Sequence, residues 1–335
     1  MQDLKHILYF ADGDFGPTRA LRRAVALAEQ HRARLTLMDV TLESGITADL
    51  IRRYGLADDV QQSEQRLAAL THLAEDWVRG QPPRLRVTIG TPFIEVIRAV
   101  QRDGHDLLLK PVHGRPDDRG FFASNDLHLL RKCPCPVWME HEPEQRDDVA
   151  AASPGEAVPM PRSARVLAAV DALQPGSAAL NRRILDTAAA VAADSGAALD
   201  IVHAWQTPFA PVLTSADPAR SGDPQLADVL GVIEDRHARA LQTLTADYRS
   251  RLGGGGTHLR RGEPAEQVLE CARELASDLL VLATLSRPRE PGLFIGTTAE
   301  DLLQGARTSV LVLKPEGFVS PVQQSPRIKH RHQPW

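Results

Sequence analysis

Short apolar runs alternate with helically spaced apolar positions along this chain, and the whole alternation occurs twice. His6 to Ala11 (HILYFA) is a buried-strand run that ends at Asp12, and Gly13, Asp14, Gly16 and Pro17 mark a loop behind it. Thr18 to His31 places Leu21, Val25 and Ala28 at helical spacing, and Arg34 to Val40 reads as a second strand. Asp49 to Arg79 repeats Leu67, Leu70, Leu73 and Val78 with a helical period until Gly80 and Pro82-Pro83 stop it. Leu85 to Ile89 is a third strand and Asp106 to Leu109 a fourth. Between them, Pro92 to Gln101 is a helix with Phe93, Val96, Ile97 and Val100 on one face. A helix ending near Lys132 leads to a fifth strand, Pro136 to Met139.

Glu140 to Ser163 breaks the pattern with acidic residues, prolines and little aliphatic bulk, the composition of a linker, placed here at 143–163. The pattern then restarts. Arg165 to Val170 ends at Asp171 as the first strand ends at Asp12, followed by a helix over Leu180 to Ala193 and a strand over Leu199 to Ala204. Thr207 to Pro224 is a loop, Leu226 to Leu252 a helix, Gly253 to Gly256 a flexible tip, and Thr257 to Arg260 a strand. Strands over Leu279 to Leu282 and Val310 to Leu313 flank a helix over Ala299 to Gln304. The halves align: Gly90-Thr91-Pro92 lies beside Gly262-Glu263-Pro264, and Asp106-Leu107-Leu108 beside Asp278-Leu279-Leu280 at the same offset.

Two such series predict an α/β protein made of two open parallel five-stranded sheets with helices on both faces, at 1–142 and 164–316. The tail 317–335 has no periodicity and is expected to fray. Each half would leave its last strand as an apolar edge, a liability unless covered. Pro136–Met139 is therefore expected to pair with Val310–Leu313 inside one chain, with a homodimer as a further level of assembly.

Composition narrows the function. The 335 residues are ordinary in hydrophobic (43%) and charged (24%) content, and a formal charge of -4 argues against a nucleic-acid partner. No apolar run is long enough to span a membrane. Three cysteines and no recognisable signal peptide suit a reducing compartment, so the expected location is the cytoplasm.

The chemistry concentrates in Asp278 to Leu313: a strand, a polar loop, and a helix that begins Gly296-Thr297-Thr298. Unpaired N–H groups and the positive dipole end at such a helix start attract anions. Plain capping by Thr297 and Thr298, with Glu300 or Asp301 in the first turn, explains the same residues. Ligands of doubly wound sheets sit beyond the carboxyl ends of the strands at the switch point. Asp12 and Asp171 should face that crevice, either as ligand groups or as turn-capping carboxylates.

With Asp106-Leu-Leu-Leu-Lys110, His128 to Met139 (HLLRKCPCPVWM) and Gly296-Thr-Thr-Ala-Glu300 laid out, the chain resembles the universal stress protein family in its tandem two-domain form. The resemblance implies a Rossmann-like, adenine nucleotide alpha hydrolase-like fold and a role in stress survival without catalytic turnover. Nucleotide binders of that family carry Gly-x2-Gly-x9-Gly-Ser/Thr after the fourth strand. In the second half the matching positions are Ala283, Ser286, Gly296 and Thr297, with spacing intact and two glycines replaced. In the first half they are Pro111, Gly114, Ala123 and Ser124, with one residue fewer in the long gap, so this half is expected to be disabled.

The resemblance implies ATP or ADP, with Mg²⁺, in the second half. Asp171 would accept from adenine or ribose, the Ala204 backbone would line the base, and Gly262 would let the chain pass close. Ala283, Ser286, Gly296, Thr297 and Thr298 would surround the phosphates, with Arg287 or Arg289 neutralising charge. The lost glycines favour a second reading, a nucleotide-free scaffold or a binder of a small apolar ligand or metabolite. A slow ATPase is a third and has only Asp171 behind it. Cys133-Pro134-Cys135 lacks the Cys-x2-Cys spacing of zinc and redox sites, and the resemblance implies that it packs in the core. Cys271 is expected to be buried, and His203 to line the crevice in a structural role.

Overall fold

The computed structural model describes residues 4–42, 59–113, 122–142, 163–207, 224–284 and 297–323. The first half runs β1 (His6–Phe10), α1 (Arg19–His31), β2 (Arg34–Thr41), α2 (Asp59–Trp77), β3 (Arg84–Ile89), α3 (Pro92–Asp103), β4 (Leu107–Val112), α4 (Ser124–Lys132) and β5 (Val137–His141). The second runs β6 (Arg165–Ala169), α5 (Ala178–Ser195), β7 (Ala198–Trp205), α6 (Pro224–Thr245), a 3-10 turn (Ala246–Arg251), β8 (Thr257–Arg261), α7 (Pro264–Glu274), β9 (Leu279–Ala283), α8 (Thr297–Gly305) and β10 (Ser309–Leu313). The predicted linker at 143–163 lies almost wholly outside the described residues.

Both halves have the same strand order, and their last strands meet. The result is one ten-stranded sheet, β3-β2-β1-β4-β5-β10-β9-β6-β7-β8, rather than two separate five-stranded ones. Every pairing is parallel except β5 with β10, where Val137, Trp138 and Met139 run antiparallel to Val312, Leu311 and Val310. The apolar edges that the sequence left exposed thus cover each other.

Central strands read as continuous apolar runs because both faces are covered. One face packs under α1, α2 and α5, with Trp138 and Leu311 at the seam. The other packs under α3, α4, α7 and α8. The repeated Asp-Leu-Leu has a structural explanation. The carboxylate of Asp106 accepts the N–H groups of Lys5 and His6 at 2.8 and 2.9 Å, and Asp278 accepts those of Ala164 and Arg165 at 2.6 and 2.9 Å. Each aspartate starts the neighbouring first strand of its half.

Two expectations change. Gly253 to Gly256 is a packed turn, not a flexible tip: Leu199 and Ile201 donate backbone hydrogen bonds to Leu252 and Gly256 at 2.8 Å each. A Cβ on Gly255 would sit 2.0 Å from the Leu199 carbonyl oxygen, so glycine is required by contact with β7. The start of the tail also packs. Gln101 of α3 donates to Val322 O at 3.0 Å, and Val322 lies against the apolar core beneath α3.

Candidate functional site

In each half the chain leaves the first strand, winds outward through the second and third, and returns on the other side for the fourth. Loops therefore part at the carboxyl ends of β1 and β4, and of β6 and β9, leaving one crevice per half. The two are filled differently.

In the first crevice Lys110, on the otherwise apolar β4, extends its ammonium between two carboxylates. It lies 2.8 Å from Asp12 at the end of β1 and 2.8 Å from Asp126 in the first turn of α4. Burial works against this charge, but Asp126 and Asp12 outweigh it and raise the lysine's pKa. Asp12 adopts φ 50°, a left-handed backbone that a non-glycine residue holds only when its surroundings impose it. Beside this triad, fully buried Asp39 at the end of β2 accepts from Gly13 N–H at 3.0 Å and pairs with Arg66 of α2. Burial pushes the Asp39 carboxyl up, and the Arg66 guanidinium opposes that push. His113 closes on Asp14 at 3.0 Å. Among the described residues the carboxylates of Asp12, Asp14, Asp39 and Asp126 gather at this end of the sheet, and the Lys110 amine is held by two of them. Pro111, in the first position of the family pattern, has no N–H to offer. Gly114, in the second position of that pattern, lies outside the described residues.

In the second crevice Leu282 stands at the position of Lys110. Asp171 is exposed, and its carboxylate caps the following turn, accepting from Leu173 and Gln174 N–H at 3.3 and 3.2 Å. Its backbone is held by Asn181, whose amide donates to the Asp171 carbonyl at 2.6 Å. Among the described residues Asp171 forms no ion pair. Ala204 lies near the end of β7 in register with Arg260, partly buried against the core. Gly262 has φ +148°, and a Cβ there would press 2.8 Å from Gln267 Cγ, so local geometry alone demands glycine. Ala283 ends β9, followed by Thr284, which donates its N–H to Leu313 O at 3.0 Å. Thr297 and Thr298 open α8, whose first-turn Glu300 pairs with Arg131 of α4 across the seam. Ser286, Arg287, Arg289 and Gly296 lie outside the described residues. The backbone thus brings Asp171, Ala204 and Ala283 to one end of the sheet.

Sequence reasoning places His203 in this crevice but misses its partners, His237 and Trp205. His203 of β7 faces His237 of α6, with Nε2 and Nδ1 2.8 Å apart, and His237 stacks on Trp205 at 4.9 Å between ring centroids. His203 also lies 3.2 Å from Val170 O through Nδ1. Burial lowers the pKa of both rings, and His203 adds to the lowering at His237. Periodicity could not reveal this contact, because His237 is one of several polar residues along α6. Lys110 was more legible, a lone cation inside the apolar run Leu107 to Val112. Among the described residues no group of three or more His, Cys, Asp or Glu is arranged to hold a metal ion.

A sequence profile of the universal stress protein family matches residues 3–141 and again 163–314. The chain is similar to universal stress protein E of Escherichia coli (strain K12), 27% identical over 334 residues, covering 95% of this chain and 96% of that one. Its fold is similar to that of a functionally unknown protein of Pseudomonas aeruginosa PAO1 (TM-score 0.62, 23% identity, 94% of each chain). It is also similar to a universal stress protein of Archaeoglobus fulgidus DSM 4304 (TM-score 0.53, 14% identity, 92% of this chain and 96% of that one).

Proposed function

The chain belongs to the universal stress protein family, and from that premise we propose that it is a non-catalytic stress-response protein whose second half holds an adenine nucleotide. In this reading the first half is a closed copy of the same crevice. The observation that carries it is the asymmetry of the two sites: Lys110 is locked 2.8 Å from both Asp12 and Asp126 in the first, whereas Asp171 in the second forms no ion pair among the described residues. ATP or ADP would place its base beside Ala204 and the His237–Trp205 stack, its ribose at Asp171, and its phosphates at the start of α8, with Thr298 in the first turn. Mg²⁺ would arrive with the phosphates and supply charge neutralisation there.

Isothermal titration with ATP and Mg²⁺ tests this. One site per chain is expected, lost in Asp171→Ala and unchanged in Lys110→Met. Two saturable sites would overturn the closed first half, and none would leave the scaffold reading. Following phosphate release in the same samples separates binding from slow hydrolysis.

A cavity of about 1120 Å³ favours the second reading, a small apolar ligand or metabolite. It lies between the halves and is lined by Leu311, Leu313 and the alanines of α5, with Arg183 and Arg251 at hand. Retention of an apolar fluorophore that ATP does not displace would support this occupant over the nucleotide.

A further inference from the structure

Cys133 and Cys135 bring their sulfurs to 3.6 Å on the face of the seam covered by α4 and α8, and both are buried (0% and 6% exposed). Cys133 is the C-cap of α4, its N–H bound to Leu129 O, and Cys135 stands just before β5. Pro134 between them stiffens the approach. From the other half Lys314, which follows β10 and is 2% exposed, reaches across the seam. Its ammonium donates to Leu130 O, to Arg131 O at 3.2 Å and to Thr284 Oγ1 at 3.2 Å, and lies 5.1 Å from the centre of the Phe318 ring. These partners are all neutral. A buried cation whose partners among the described residues are all neutral is undercompensated, and the neighbouring thiol pair can supply an anion.

The titration of these groups agrees with the geometry. Burial brings Lys314 down to about 8 against the pull of the two sulfurs. Burial also opposes a thiolate at Cys133, but hydrogen bonding from Cys135 and the Lys314 charge outweigh it, so Cys133 falls below the usual thiol range. Cys135 is pushed up by burial and by Cys133. One sulfur is thus disposed to lose its proton and the other to keep it. Cys135 also borders the cavity between the halves, near Arg183 and Leu311, so a small solute there meets the Cys135 side of the pair.

We infer that Cys133, Cys135 and Lys314 form an oxidisable dithiol site whose oxidant is a hydroperoxide and whose product is an intramolecular disulfide. The Cys133 thiolate attacks one peroxide oxygen and the O–O bond breaks. A sulfenic acid remains on Cys133, and the alkoxide or hydroxide that leaves takes a proton from solvent. The Cys135 sulfur then attacks Cys133, the S–S bond forms, and the sulfenic oxygen departs as water with the Cys135 proton. Two electrons pass from the thiols to the peroxide. The ring spans only Cys133 to Cys135, so it removes little chain entropy on closing and stays readily reducible, as befits a reversible mark rather than a structural staple.

Mass spectrometry of the full-length protein tests this: treatment with hydrogen peroxide, denaturation, alkylation and trypsin. The peptide holding Cys133 and Cys135 is expected to be lighter by two hydrogen atoms and unalkylated, and to return to the dithiol with a reductant. Buried Cys271 should remain fully alkylated. Lys314→Met should slow oxidation about tenfold, as expected when a thiolate loses its cation. If that variant does not fold, the wild-type rate against pH serves instead. Half-maximal oxidation should come below the pH set by a free thiol of pKa about 8.5. Dithiol peptide surviving peroxide in folded protein, overoxidation without a disulfide, or a pH profile matching a free thiol would each overturn the proposal.

Discussion

Replacing Lys110 by methionine leaves an unbranched side chain one atom shorter and removes the charge between Asp12 and Asp126. Each contact is 2.8 Å, and Lys110 and Asp126 are about 5% and 4% exposed. At an effective dielectric near 20, attraction over such a distance is worth about 6 kcal/mol per contact. Desolvation of the buried ions consumes several kcal/mol of that, so the triad as a whole adds little net stability. Its loss is another matter, because methionine leaves two carboxylates facing each other and Asp126 buried without a counter-charge. That situation typically costs about 3–5 kcal/mol. Urea denaturation at neutral pH, followed by circular dichroism, should show this loss in Lys110→Met. Lys110→Met combined with Asp126→Leu should recover most of it, since an apolar pair of similar volume needs no compensation. Because the folded lysine's pKa is raised above its unfolded value of 10.5, its contribution is complete below that pH and fades only in stronger base. A single-variant loss below about 1 kcal/mol would refute a buried, mutually dependent triad and return Lys110 to the status of a surface pair.

Further expectations follow from contacts elsewhere. Gly255→Ala should destabilise by about 1–3 kcal/mol through collision with the Leu199 carbonyl, whereas Gly231→Ala, in α6 with open space around it, should stabilise by about 0.5–1 kcal/mol; thermal melts separate the two. Asp106→Ala and Asp278→Ala each strip two strand-starting hydrogen bonds and should each cost about 1–3 kcal/mol in denaturant titrations. His105, 6% exposed and 3.1 Å from Thr36 Oγ1, is brought by burial from 6.5 to about 4. The unfolded chain therefore binds the proton more readily, and stability present above pH 6.5 is lost as pH falls toward 4, by on the order of 3 kcal/mol. His105→Gln should flatten that part of a stability–pH profile, and an unchanged slope would assign the acid loss to other groups.

The sequence by itself determined the two-fold series of strands and helices, because strand burial and helical periodicity are local properties written in consecutive residues. Strand ends mostly moved by a residue or two, and the apolar edges at Pro136–Met139 and Val310–Leu313 announced their own pairing. Glycine-rich turns were less legible: Gly253 to Gly256 reads as loose until β7 is seen against its backbone. The crevices belong to the tertiary structure almost entirely. Asp12, Lys110 and Asp126 are far apart in the chain, and only the return of β4 beside β1 makes them one ion cluster. His203 and His237 meet because α6 crosses the end of β7, and Lys314 reaches the last turn of α4, next to Cys133, because β10 pairs with β5. Periodicity records which side of an element is buried. Which charge meets which is settled when the sheet closes across its seam, since a buried ion must find its partner in three dimensions or be paid for in stability.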